Sequence, residues 1–332
     1  MTVVKAIFSN FLAFLMAIFL TILPYKGVEL PVIDASKDDC RMIAEMISDT
    51  HLEAKEPARQ SFLKTGLKNL SRAKTPVDTV VIAGDLTNYA DEPSLAKYYD
   101  ILRNYSPVKA LSAAGNHDIG HAGDRDVTDI TREEAKANFI RYNNEYLGIE
   151  AEDTYYSYEV KGYKFIVLGD ICKDGGHWDA MDIGEEQMAF LDSELAEATA
   201  DGKPAFVVCH WPVDDINGEA TIWPDSGIDL EVNDVKSVME KYDNVFYISG
   251  HMHAGIKSTA VDDTYGLATV ETVNGVTYIN LPTYGLVNMF GDAVSGTGIQ
   301  LEVYDDEVIL RPRNFITNAW YTNSVYTIEL VK

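Results

Sequence analysis

Apolar residues recur along this chain in two alternating rhythms. Short runs at residues 41–48, 79–83, 108–114, 163–168, 204–209 and 245–249 have the length of strands, and the β-branched run 79–83 has the composition of a strand buried on both faces. Between them lie stretches with a period near 3.6. Residues 56–73 place Phe62, Leu63, Leu67 and Leu70 on one face, 93–105 place Leu95, Tyr98, Tyr99 and Leu102, and 184–198 place Met188, Leu191 and Leu195. Thr131 and Glu134 have the capping-box spacing that opens a helix running to about Leu147, and residues 235–242 form a short one. The alternation predicts an α/β fold. Residues 155–160 and 163–168 flank Lys161-Gly162 as a hairpin, and the last part, 261–332, is mostly β, with turns at Asn274-Gly275 and Asp305-Asp306. Residues 120–129, 169–182 and 214–233 follow neither period and are expected as the loops that set specificity.

The first residues break this pattern. No charge occurs from Ala6 to Leu23, Lys5 precedes the run, and Pro24-Tyr25-Lys26 closes it. Ser9 and Asn10 leave residues 11–23 as an apolar core of signal-peptide length, with no small-x-small cleavage site before Lys26. Residues 1–26 are therefore expected to be a signal peptide or an uncleaved membrane anchor. Residues 27–40 then read as a linker and 41–332 as one domain, secreted or membrane-anchored outside the cytoplasm. The chain carries 27 Lys and Arg against 52 Asp and Glu, a net charge of −25. That field repels phosphate backbones and argues against nucleic acid as a partner, although solubility alone accounts for most of it. Cys40, Cys172 and Cys209 form no metal-spaced pair.

The chemistry lies where strands are expected to end. Five runs deliver, in turn, Asp49 and His51, Asp85, Asn116 and His117, His210, and His251 and His253. Each alone has an ordinary explanation as a turn residue, a cap or a core histidine. Ligands of α/β sheets bind outside the carboxyl ends of strands, so five loaded ends imply one shared site. Asp118, beside His117, is placed to fix the tautomer of its neighbour. The donors are nitrogen and oxygen with no thiolate, a set that suits Mn, Fe, Zn or Ni. They are too many for one ion. A carboxylate shared by two cations about 3.5–4 Å apart uses all of them and forms a hydrolytic two-metal site. In Gly250-His251-Met252-His253 the two imidazoles leave the same face of an extended segment and reach adjacent ions.

In that order, Asp49-x-His51, Gly84-Asp85, Gly115-Asn116-His117-Asp118, His210 and Gly250-His251-x-His253 resemble the motifs of the calcineurin-like metallophosphoesterases. The resemblance spans about residues 41–253, and Asp49-Thr50-His51-Leu52 with the body up to His210-Trp211-Pro212 is most similar to the class III cyclic-nucleotide-phosphodiesterase-type branch. It implies a four-layer α/β/β/α sandwich with mixed central sheets. It also implies one metal held by Asp49, His51, Asp85 and His253, and a second held by Asp85, Asn116, His210 and His251. His117 would act on the phosphoryl group as general acid or stabiliser, oriented by Asp118. The implied reaction is hydrolysis of a small phosphate mono- or diester by a hydroxide shared between the ions. A phosphomonoesterase or nucleotide hydrolase on the same site is the alternative. A non-catalytic scaffold would lack ligands, and none is missing. Purple acid phosphatases carry a Tyr three residues after the second-motif Asp; that place here is Asn88, followed by Tyr89, which speaks against a purple ferric site.

Overall fold

The computed structural model describes residues 34–120, 129–170, 181–224, 226–228, 230, 234–256, 267–286, 288 and 293–332. The strands are β1 (Met42–Ile47), β2 (Thr79–Ala83), β3 (Ala110–Ala113), β4 (Tyr156–Val160), β5 (Tyr163–Val167), β6 (Ala205–Val208), β7 (Val245–Ser249), β8 (Val270–Val273), β9 (Val276–Asn280), β10 (Thr297–Val303), β11 (Glu307–Asn314) and β12 (Tyr326–Glu329). The helices are α1 (Pro57–Leu70), α2 (Glu92–Tyr105), α3 (Arg132–Leu147), α4 (Gly184–Ala198), α5 (Glu219–Ile222) and α6 (Val235–Met239), with a π-helical turn at Asn116–Gly120.

Two six-stranded mixed sheets form, in the orders β12-β11-β10-β1-β2-β3 and β4-β5-β6-β7-β9-β8. β1, β2 and β3 run parallel in the first, and β5, β6, β7 and β9 in the second. The alternation of side chains explains the layering. Phe165, Phe206 and Phe246 line the inner face of the second sheet, with ring centroids 4.9 and 5.5 Å apart, and join the core of the first sheet. Their neighbours Ile166, Val207 and Tyr247 point the other way, onto Leu191 and Leu195 of α4 and Val235 and Met239 of α6. Apolar side chains of α1, α2 and α3 pack into the core of the first sheet, where Tyr98 of α2 also hydrogen-bonds Ser112 of β3 across 2.8 Å. The result is helix, sheet, sheet, helix.

Local signals explain the boundaries. Thr131 and Glu134 make both bonds of the capping box, and α3 ends at Gly148 in the left-handed conformation. Asn274 and Gly275, both with positive φ, turn β8 into β9. Two features differ from the sequence expectation: α5 sits inside the stretch expected as a loop, and a π-turn follows β3. Both are single turns, too short to show a period.

The expected linker differs as well. Ser36 donates its backbone N–H across 2.9 Å and its hydroxyl to the buried carboxylate of Glu302, and Asp34 O accepts from Gln300 and Arg311 at 3.2 and 3.0 Å. Residues 34–40 are thus part of the folded body, pinned by a carboxylate that also accepts from Tyr304, Gln300 and Arg311. Residues 1–26, including the apolar run expected to target or anchor the chain, lie outside the described residues. Among the described residues no helix is long and apolar enough to cross a membrane.

Because Glu302 loses two donors when this segment is removed, a chain beginning at Arg41 should unfold at a temperature several degrees below one beginning at Asp34. Leaving a buried charged group short of partners costs about 1–3 kcal/mol. Equal midpoints by calorimetry would return residues 34–40 to the role of linker.

Candidate metal centre

Every expected site residue leaves a strand at its carboxyl end. Asp49 and His51 follow β1, Asp85 follows β2, Asn116 and His117 open the π-turn after β3, His210 follows β6, and His251 and His253 follow β7. The first three strands belong to one sheet and the last two to the other. The segment after β9 ties the two edges together: Tyr284 and Gly285 donate to Ser48 O and Asp49 O, both at 2.9 Å. Asp49, His51, Asp85, His251 and His253 all hold left-handed backbone, with φ of 55°, 42°, 49°, 67° and 46°. Such conformations cost about 1–3 kcal/mol each in non-glycine residues and persist where surroundings over-determine them. Two glycines allow the approach. A Cβ on Gly115 would strike Asp85 Oδ1, and one on Gly250 would strike Ser48 Oγ.

The side chains converge as two groups. Asp49, His51, Asp85 and His253 each offer a ligand atom, all within 4.8 Å of one another, and together could hold one ion. His51 Nε2 lies 3.0 Å from His253 Nε2 and 3.4 Å from Asp85 Oδ2, while His253 Nε2 lies 3.2 Å from Asp49 Oδ1. On the other side, His210 Nε2 is 3.2 Å from Asp85 Oδ1 and 3.0 Å from Asn116 Oδ1, which in turn is 3.1 Å from His251 Nδ1. The two oxygens of Asp85 therefore face different groups.

The donor chemistry fits cations. His210 donates its Nδ1–H to Ala83 O at 2.8 Å, so its Nε2 lone pair is directed at two oxygens that also carry lone pairs. Asp49 Oδ1 is buried and accepts no well-formed hydrogen bond. Acceptors facing acceptors away from water are stable only with a proton or a metal ion between them. Protons show up in the acid–base balance of the metal-free site. Burial opposes ionisation of Asp49 and Asp85, yet the histidines beside them hold both carboxyls well below the usual range. Burial likewise opposes charge on His210, but Asp85 more than offsets it and raises the imidazole to about 9. Burial and the charge of His210 push His251 down to about 3.

His117 and Asp118 do not act as a pair. The Asp118 carboxylate accepts from Leu86 N, Thr87 N, Thr87 Oγ1 and Gly115 N at 2.8–3.0 Å, locking the turn after β2 to the turn after β3. Its expected role in orienting His117 is thereby corrected: the hydrogen bonds its carboxylate makes go to these turns. Burial and the charge of Asp85 raise it to about 6. His117 instead donates Nδ1–H to Asn88 O at 2.9 Å, and the Asn88 side chain is held at 2.8 Å by Glu53, which also pairs with Arg59. Sequence reading noted Asn88 only as the place of a purple site's Tyr and missed its part in holding His117, because a backbone carbonyl acts without any signature in residue type; it passed over Glu53 as well. It also passed over Trp223, whose ring stacks on His251 with centroids 5.3 Å apart and planes 15° apart.

The sequence profile of one family, the calcineurin-like phosphoesterases, matches residues 46–255, which contain every residue of this centre. The chain belongs to that family. A calcineurin-like phosphoesterase is a metal-dependent hydrolase of phosphoric ester bonds, and the buried Asp/His cluster fits the metal requirement. Among solved structures, the fold is similar to a dimetal phosphatase from Danio rerio, with TM-score 0.57 and 14% identity over 88% of this chain and 100% of that one. It is also similar to the purple acid phosphatase PPD1 from yellow lupin, with TM-score 0.55 and 15% identity over 87% of this chain and 53% of that one. No curated protein matches the chain. At the position expected to carry a purple site's phenolate, Asn88 spends its amide on Glu53, and Tyr89 is 40% exposed.

Metal binding to this phosphoesterase should release protons. His210 is protonated below about pH 9 and must lose its Nε2 proton to ligate, so affinity should rise about tenfold per pH unit up to that point. In the metal-free protein the same shift stabilises the fold below about pH 6.5, and this contribution fades as the pH rises through about 9. Calorimetric metal titrations in buffers of different ionisation enthalpy measure the proton count. A count of zero at pH 7.5 would rule out His210 as a ligand.

Proposed function

We propose that this calcineurin-like phosphoesterase hydrolyses small phosphate mono- or diesters at a two-metal centre. Asp49, His51, Asp85 and His253 hold one ion, and Asp85, Asn116, His210 and His251 hold the other; Mn, Fe, Zn and Ni all suit these donors. The observation that carries this reading is the division of Asp85, with Oδ2 toward His51 and Oδ1 toward His210. When bound, two such cations lower the pKa of water and offset the charge of phosphoryl oxygens.

The chain's own groups supply positioning and a proton. With Nδ1 committed to Asn88 O, His117 presents Nε2 toward the centre, 3.9 Å from Asp85 Oδ2, and its ring meets His51 edge-on with centroids 4.6 Å apart. A proton on Nε2 is thus held beside the place where an ester's departing oxygen develops charge. Glu53 and Arg59 act at one remove, fixing Asn88 and so the tilt of the imidazole.

His117→Ala should keep its metal content and lose about 10²–10⁴-fold in turnover, more for alkyl esters than for nitrophenyl esters, whose leaving oxygen needs little protonation. Glu53→Ala should give a smaller loss with the same leaving-group dependence. A His117 variant that loses metal is a ligand variant, and one that keeps full activity on alkyl esters refutes the proton-delivery role.

A further inference from the structure

Trp223 belongs to a segment built around a buried carboxylate. Glu219 accepts from Asp215 N at 3.2 Å and Ser226 N at 3.1 Å, Trp223 N donates to Glu219 O at 2.9 Å, and Ser226 Oγ donates to Trp223 O at 2.6 Å. Ile222 packs against Met252, Ala254 and Leu267. Met252 lies between His251 and His253, so the segment is keyed to the chain that carries both imidazoles. The backbone of Trp223 is thereby anchored, and its indole lies parallel to His251 and edge-on to His253 with centroids 6.4 Å apart.

The side chains of the centre are not equally covered. Those of His51 and His210 are fully buried, whereas His253 is 16% and His117 21% exposed. Solvent therefore reaches the centre past His117 and His253. Trp223, half-buried, borders His253 on this side. Tyr89, 40% exposed, directly follows Asn88, the residue that holds His117. The open side of the centre is thus bordered by the Trp223 indole at His253.

We propose that Trp223 determines specificity by stacking on a planar ring, a nucleobase or an aryl group, carried by the leaving alcohol of the ester whose phosphorus sits at the centre. An indole already stacked on His251 and in contact with His253 loses little freedom when a flat ring meets it, and base–aromatic stacking accepts any planar ring. This inference rests on the phosphoesterase reading above, so its test includes a measurement that needs no turnover.

Adenosine 5′-phosphate and ribose 5-phosphate share the same alkyl leaving oxygen and differ only in the base. In Trp223→Ala the ratio of their kcat/KM values should fall by roughly 5- to 150-fold, through KM for the nucleotide, and Trp223→Phe should restore most of it. Metal content should match the wild type in both variants. Calorimetry should show adenosine binding to the metal-loaded wild type and not to Trp223→Ala. An unchanged ratio, or no adenosine binding to the wild type, overturns the proposal, as does a loss of metal in both variants, which would make Trp223 a cover for His251. If neither ester is hydrolysed, the monoesterase part of the phosphoesterase reading fails separately, and Trp223-dependent adenosine binding still upholds the stacking surface.

Discussion

Everything in this fold leads to one electrostatic constraint: two carboxylates, one amide oxygen and four imidazoles are brought together where water is largely excluded. Left without a positive charge, such a set would repel itself and its polar atoms would be costly to bury. In the metal-free protein the histidines act as the counter-charges, which is why His210 gains a proton while His251, a few ångströms away, is denied one. Metal ions can take the place of those protons as the counter-charges. Asp85 is the hinge of the arrangement, since it is the member whose oxygens reach both groups.

The scaffold is shaped to hold that constraint. Parallel strands from two sheets end at one edge, and the segment after β9 hydrogen-bonds to the exit of β1 and so closes the gap between the sheets. Five site residues take left-handed backbone, a strain that the sheets on either side can sustain because their cores are closely filled. Asp118 contributes here as a structural bolt. By accepting four hydrogen bonds from two turns, it sets the distance between Asp85 and Asn116 and leaves the orientation of His117 to a carbonyl on the neighbouring turn.

Much of this was legible from residue order. The buried runs became strands, the 3.6-residue periods became helices, and the polar residues at strand ends were brought to one place because parallel strands of an α/β fold deliver their carboxyl ends together. What stayed hidden was of two kinds. Backbone groups such as Asn88 O leave no trace in residue type, so adjacency made Asp118 look like the partner of His117. Single turns such as α5 carry no periodicity, so the support of Trp223 by Glu219 and Ile222 was concealed within an apparent loop, and the Ser36 contact with Glu302 was concealed within an apparent linker.

The claim on which the account rests is that Asp85 joins two ions. Elemental analysis of the active protein, repeated on Asp85→Asn, tests it directly. The account predicts two transition-metal ions per chain and weakened occupancy of both in the variant. A single ion in active protein, or a variant that loses one ion and keeps the other at full occupancy, would contradict it.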